Sequence, residues 1–97
     1  MHSLIIGGGK IGYYLTKVLI EKGYDVSVVE KEKEACQKFA NDLNITVIKG
    51  DGTSVSVLEQ AGVADADSVI AVTGRDEDNL VACQLAKRLY QDRKSVV

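Results

Sequence analysis

The residues with the strongest chemical signature in this sequence are glycines. Gly7-Gly8-Gly9-Lys10-Ile11-Gly12 fits the pattern G-x-G-x-x-G directly after the apolar run Leu4–Ile6. A glycine loop between a strand and a helix presents free backbone N–H groups beside the positive end of the helix dipole, so it can hold a phosphate. In that arrangement Gly7 makes the tight turn and Gly9 lets a pyrophosphate approach with no Cβ in the way. Gly12 allows helix and sheet to pack closely. Lys10 is electrostatically unfavourable at a helix N-terminus unless an anion sits there too. Gly8 and Ile11 complete the loop, and Gly8 has no assigned task.

Three further stretches supply complementary chemistry. The β-branched run Val26–Val29 ends in Glu30, 18 residues after Gly12. A carboxylate at that place accepts hydrogen bonds from ribose hydroxyls and repels a 2′-phosphate, which favours NAD or an unphosphorylated adenosine ribose over NADP. Lys31 follows at once and works against that preference. Lys49-Gly50-Asp51-Gly52-Thr53 puts small and polar residues after a third run, on the side where an adenine lies, although Thr53 or Ser54 serves equally well as a helix N-cap. Thr73 and Gly74 end a fourth run. The acidic stretch Arg75-Asp76-Glu77-Asp78-Asn79 reads more simply as first-turn acids of a helix than as a cation site, and no metal is expected. His2 is the sole histidine and is expected to fray with the terminus, leaving no His-based catalytic group. Cys36 and Cys83 are expected as free, buried thiols, and with no CxxC pattern zinc is not indicated.

The elements that position these residues follow from periodicity. Short apolar runs at Leu4–Ile6, Val26–Val29, Ile45–Ile48, Val69–Val72 and Ser95–Val97 suit strands buried on both faces of a parallel sheet. Helical patterns lie between them. The first covers about Lys10 to Lys22, with Ile11, Leu15, Val18 and Lys22 on one stripe and Gly12 beside Leu19 on the inward side; Gly23 stops it. The second places Ala35, Cys36, Phe39, Ala40 and Leu43 on one face. The third spans Ser54 to Ala61, and the fourth Asp76 to Gln91. This alternation predicts an α/β, Rossmann-like, doubly wound parallel sheet of strand order 3-2-1-4-5. In that order Thr73 and Gly74 border the same crevice as the glycine loop. The fourth helix is apolar over an arc of about 200°, twice what one sheet contact needs, so its outer side is expected to meet another subunit.

Composition sets limits. The 97 residues suit one domain, and a 45% hydrophobic fraction with a net charge of −2 suits a soluble globular chain. No basic stripe is present, so nucleic acid is not an expected partner. No apolar run approaches a membrane span, so direct membrane insertion is not expected either.

The combination of Gly7–Gly12, Glu30, Lys49-Gly50-Asp51-Gly52-Thr53 with Leu58 and Ala61-Gly62, Ala66-Asp67, and Val72-Thr73 followed by Asp76-Glu77 and Asn79 resembles the RCK N-terminal (TrkA-N) domains of potassium channel and potassium uptake regulators. The resemblance covers essentially the whole chain. It implies a cytosolic regulatory domain that binds NAD(H) or an adenine nucleotide such as ATP or ADP and performs no chemistry on it. It further implies assembly into dimers or rings attached, at the inner face of the membrane, to a potassium channel or transporter that ligand binding gates. The glycine loop would hold phosphates, Glu30 the ribose and Asp51–Thr53 the adenine side, while Thr73 and Gly74 would close the crevice. Chains of this family normally run on beyond this point, so a fragment ending around strand five is expected. Many relatives carry aspartate where this chain has Glu30, and the longer arm still reaches a ribose. Two other readings compete: the cofactor half of an NAD-dependent dehydrogenase whose substrate domain is absent, and a ligand-independent assembly domain.

Overall fold

Strand and helix alternate in the order expected. The computed structural model describes residues 1–93, in which β1 (His2–Ile6), α1 (Lys10–Glu21), β2 (Asp25–Glu30), α2 (Lys33–Asp42), β3 (Thr46–Lys49), α3 (Val55–Gln60), β4 (Ser68–Ala71) and α4 (Asp76–Arg93) follow one another. A 3-10 turn at Val63–Asp65 links α3 to β4. The sheet order is β3-β2-β1-β4, with every pairing parallel. This is the order 3-2-1-4 of a doubly wound sheet, with the switch point between β1 and β4. The expected fifth strand at Ser95–Val97 lies outside the described residues.

Alternation along the strands sends successive side chains to opposite faces. Leu4 and Ile6 therefore join Val29, Leu58, Val63, Ala82 and Ala86 in a core beneath α3 and α4. Ile5 joins Val26, Val28 and Phe39 beneath α1 and α2. Leu4, Ile5, Val28, Phe39 and Leu58 are completely buried, each contributing roughly 1.5–3 kcal/mol of hydrophobic stabilisation. Because all strands run the same way, their C-terminal ends and the loops that follow meet at one edge. The register aligns Ile6 with both Val29 and Ala71, and Glu30 with Lys49.

Several expectations need correction. Ile11, which the periodicity places on an apolar stripe of α1, is 66% exposed. The buried line of α1 is Gly12 and Thr16, because the closest helix–sheet approach needs small residues there. Ala40 is exposed on α2. His2 does not fray. It begins β1, its N–H donates to Asp67 Oδ2 at 2.7 Å, and its Nε2 lies 3.3 Å from Ser27 Oγ. Cys36 and Cys83 are both free, but Cys36 is half-buried and Cys83 is exposed. On α4, Ala82 and Ala86 face the core while Leu80, Val81 and Tyr90 remain 40–62% exposed, so the apolar arc does extend beyond the intramolecular contact. Among the described residues, no helix is long and apolar enough to cross a membrane.

Candidate functional site

The loops after the four strands surround one cavity of about 650 Å³ at the C-terminal edge of the sheet. Its walls are the loop residues Gly7–Ile11, the β2 end Glu30–Glu32, the β3 end Gly50–Thr53 and the β4 end Val72–Arg75. Gly7, Gly8, Gly9, Lys10, Ile11, Glu30, Lys31, Asp51, Gly52, Thr53, Thr73 and Gly74 all line it. Of the site residues expected from sequence, Gly12 alone does not; it lies buried under the loop.

Three glycines of the loop meet different surroundings. Gly7 has φ +113°, and a Cβ there would lie 2.8 Å from the Thr73 nitrogen and from the Val72 carbonyl. A Cβ on Gly12 would come 2.1 Å from the Gly7 carbonyl oxygen. Both positions are therefore closed to any side chain. Gly9 is the opposite case: its φ is −73°, and a Cβ there would meet no protein atom within 4 Å. The structure itself needs no glycine at position 9, which borders the cavity.

Gly9 is the N-cap of α1 and supplies no side-chain cap. The first hydrogen bond of the helix runs from Tyr13 N–H to the Gly9 carbonyl at 2.9 Å. Amides ahead of Tyr13 thus have no intrahelical acceptor. The first turn carries no acid but does carry Lys10, and both features favour an anion at this helix start.

Glu30 is buried, and its carboxylate joins two loops. Oε1 accepts the Gly8 N–H at 2.6 Å, and Oε2 accepts the Glu32 N–H at 2.5 Å, at the N-cap of α2. A Cβ at Gly8 would lie 2.8 Å from Glu30 Cγ and from the Phe39 ring, which gives Gly8 a task that the pattern alone does not. The Glu30 carbonyl accepts the Gly50 N–H at 2.9 Å, tying in the third loop, and also the Cys36 thiol at 3.2 Å. Desolvation, helped by the Glu30 charge, pushes the Cys36 thiol up from its ordinary pKa. A carboxylate has about four lone-pair positions, so with two filled by amides Glu30 can still accept two hydroxyls.

Asp51 folds back on its own loop. Its Oδ1 accepts the Thr53 N–H at 2.8 Å and the Thr53 hydroxyl at 2.7 Å. The backbone hydrogen bond first, then the hydroxyl, hold its carboxyl below the usual carboxylate range, and the Lys31 charge adds to this. Across the cavity Thr73 is held by Asn79. The sequence reading gives Asn79 no task of its own, because a side chain that reaches back six residues to a strand end leaves no periodic signal. Arg75 lies 3.5 Å from Glu77 and 3.8 Å from Asp78, so part of the acidic stretch is engaged with its own cation.

A parallel sheet of order β3-β2-β1-β4 with a glycine loop at its switch point defines a Rossmann-like α/β protein. Residues 3–97 match the family model of the TrkA-N domain, and the chain belongs to that family. It is 41% identical over 87 residues to a Trk system potassium uptake protein TrkA homolog from Methanothermobacter thermautotrophicus, covering 90% of this chain and 40% of that protein. The chain thus spans two fifths of the length of that relative. Among solved structures it is similar to the Kef C-terminal domain of Shewanella denitrificans in its AMP-bound form, with a TM-score of 0.78 and 23% identity over 93% of this chain and 54% of that one. It is also similar to the NAD(P)-binding domain of an exopolyphosphatase-related protein from Archaeoglobus fulgidus, with a TM-score of 0.79 and 22% identity over 90% of this chain and 65% of that one. These two likenesses show the fold.

Proposed function

We propose that this chain is the nucleotide-sensing part of a potassium uptake or channel system, and that it holds NAD(H) or an adenine nucleotide such as ATP or ADP as a signal. The observation that carries this reading is the convergence of four strand-end loops on one cavity, with Gly9 unobstructed by protein atoms and Glu30 buried at the end of β2. The amides before Tyr13 and the Lys10 charge take the phosphates, with Gly8 and Ile11 framing the loop and Gly12 letting α1 approach. The remaining Glu30 acceptors take the ribose hydroxyls, with Lys31 at the rim. Asp51, Gly52 and Thr53 form the adenine side, and Thr73 and Gly74 close the crevice. The lining chemistry is that of holding a ligand, so the chain is read as regulatory rather than enzymatic.

The Trk system name of the relative and the Kef domain's AMP-bound form support this class of ligand and a membrane potassium transporter as partner. The exposed apolar side of α4, with Leu80 and Val81, supports assembly into a homo-oligomer, a dimer or ring, at the cytoplasmic face of the membrane. Ligand binding would then gate transport by changing the shape of the assembly. A thermal-shift panel of NAD, NADH, NADPH, ATP, ADP and AMP tests the reading. A ligand at 100 times its dissociation constant adds about 2.7 kcal/mol, a shift on the order of 10 °C in a domain of this size. Stabilisation by unphosphorylated adenosine riboses is expected; a flat response to all six compounds refutes it.

A further inference from the structure

Opposite Glu30, a second clamp holds the other wall of the cavity. The Asn79 side chain, half-buried on the first turns of α4, engages every polar group of Thr73. Its Oδ1 accepts the Thr73 N–H at 2.8 Å and the Thr73 hydroxyl at 2.5 Å, and its Nδ2 donates to the Thr73 carbonyl at 3.2 Å. The Thr73 hydroxyl also accepts the Arg75 N–H at 3.3 Å. Asn79 is itself anchored in α4 by its N–H to the Arg75 carbonyl at 3.1 Å.

What rests on this clamp is the glycine loop. Gly7 lies so close to the Val72–Thr73 peptide that a Cβ would stand 2.8 Å from its atoms. The contact is backbone on backbone, with no side chain to absorb a displacement. On its other flank the Gly7 N–H bonds to the Val29 carbonyl at 2.9 Å. Above it, the Gly7 carbonyl touches Gly12 at the start of α1. A shift of the Thr73 peptide is therefore passed to Gly7, and from there to the amides that open α1.

We propose that Asn79 is a positioning residue for the glycine loop, acting through Thr73 and the Val72–Thr73 peptide to fix the phosphate end of the site. This rests on reading the crevice as a nucleotide site. Glu30 holds the loop at Gly8 from the ribose side, and Asn79 holds it at Gly7 from the β4 side. The two residues should therefore affect different parts of one ligand.

The test uses Asn79→Leu, which keeps the branched four-atom side chain and removes all three bonds, and Thr73→Val, which removes only the hydroxyl. Amide hydrogen exchange on the ligand-free chain is followed at residues 7–12, together with affinity for ADP and for adenosine. Asn79→Leu is expected to speed exchange at residues 7–12 by about tenfold and to weaken ADP by about tenfold, with adenosine changed less than about twofold. Thr73→Val is expected to fall between it and wild type in exchange, which keeps the idea testable if Asn79→Leu does not fold. Exchange unchanged in the glycine loop of either folded variant would overturn the proposal, as would equal weakening of ADP and adenosine by Asn79→Leu. A wild-type chain that binds neither compound refutes the nucleotide reading, while the exchange arm still decides the role of Asn79.

Discussion

Replacing Gly9 with valine should separate ligand binding from folding, because the structure needs no glycine there. The backbone at Gly9 has φ −73° and ψ −169°, open to any L-residue, and the added Cβ meets no protein atom within 4 Å. Valine is a poorer N-cap than glycine, a cost of up to about 1 kcal/mol. Reducing the freedom of the unfolded chain returns about 0.4–1 kcal/mol. The net change is close to zero, so Tm should stay within a few degrees of wild type. On the proposed reading the ligand has no such tolerance, since the branched side chain would stand where a pyrophosphate reaches the loop amides. Loss of two hydrogen bonds to a charged group costs about 3–6 kcal/mol, on the order of 100- to 10,000-fold in affinity. Gly12→Val is the built-in contrast. Its Cβ would lie 2.1 Å from the Gly7 carbonyl, so overpacking of about 1–3 kcal/mol or more should lower Tm by about 4–8 °C per kcal/mol. Thermal unfolding without ligand and titration with NADH read both quantities. If Gly9→Val bound NADH normally, or lost as much stability as Gly12→Val, the assignment of Gly9 to the ligand side would be wrong.

Glu30→Gln should destabilise the ligand-free protein as well as weaken ribose binding. A glutamine has one acceptor oxygen, so it cannot serve both the Gly8 and the Glu32 amides. One N–H left without a partner costs about 1–3 kcal/mol, visible as a lower Tm; an unchanged Tm contradicts the clamp. The lowered pKa of Asp51 predicts a pH signature. Its stabilisation is fully present above the unfolded carboxylate value of about 3.9 and is lost as pH falls through the lower folded value. Asparagine can keep the acceptor of the turn without the charge, so the stability difference between wild type and Asp51→Asn should shrink below about pH 4. A difference independent of pH would contradict it.

Much of this molecule is legible in the sequence because its signals are local. A strand, a glycine loop and a helix starting at Lys10 follow one another within a few residues, and Glu30 ends β2 as the apolar run before it predicts. What escapes the sequence is set by approach and by long-range bonds. The wheel of α1 groups Ile11 with Leu15 and Val18 and puts Gly12 inward; Gly12 does face the sheet, with Thr16, while Ile11 is exposed, since the close Gly12–Gly7 approach requires small residues on the buried line. Thr16 can be buried there because its hydroxyl donates to the Gly12 carbonyl at 2.8 Å. His2 is ordered by Asp67, which is 65 residues away along the chain. Gly8 and Asn79 owe their tasks to partners on other loops and elements. Periodicity reads which side of a helix is apolar, and it is blind to which side chain closes a hydrogen bond with a distant peptide.

Mapping ADP onto the backbone amides by two-dimensional NMR decides whether these four loops form one adenine-nucleotide site. Saturable shifts are expected at residues 7–12, at Glu30 and Lys31, at residues 50–53, and at Thr73 and Gly74. No saturable shifts, or shifts confined to the exposed face of α4 around Leu80 and Val81, would contradict it.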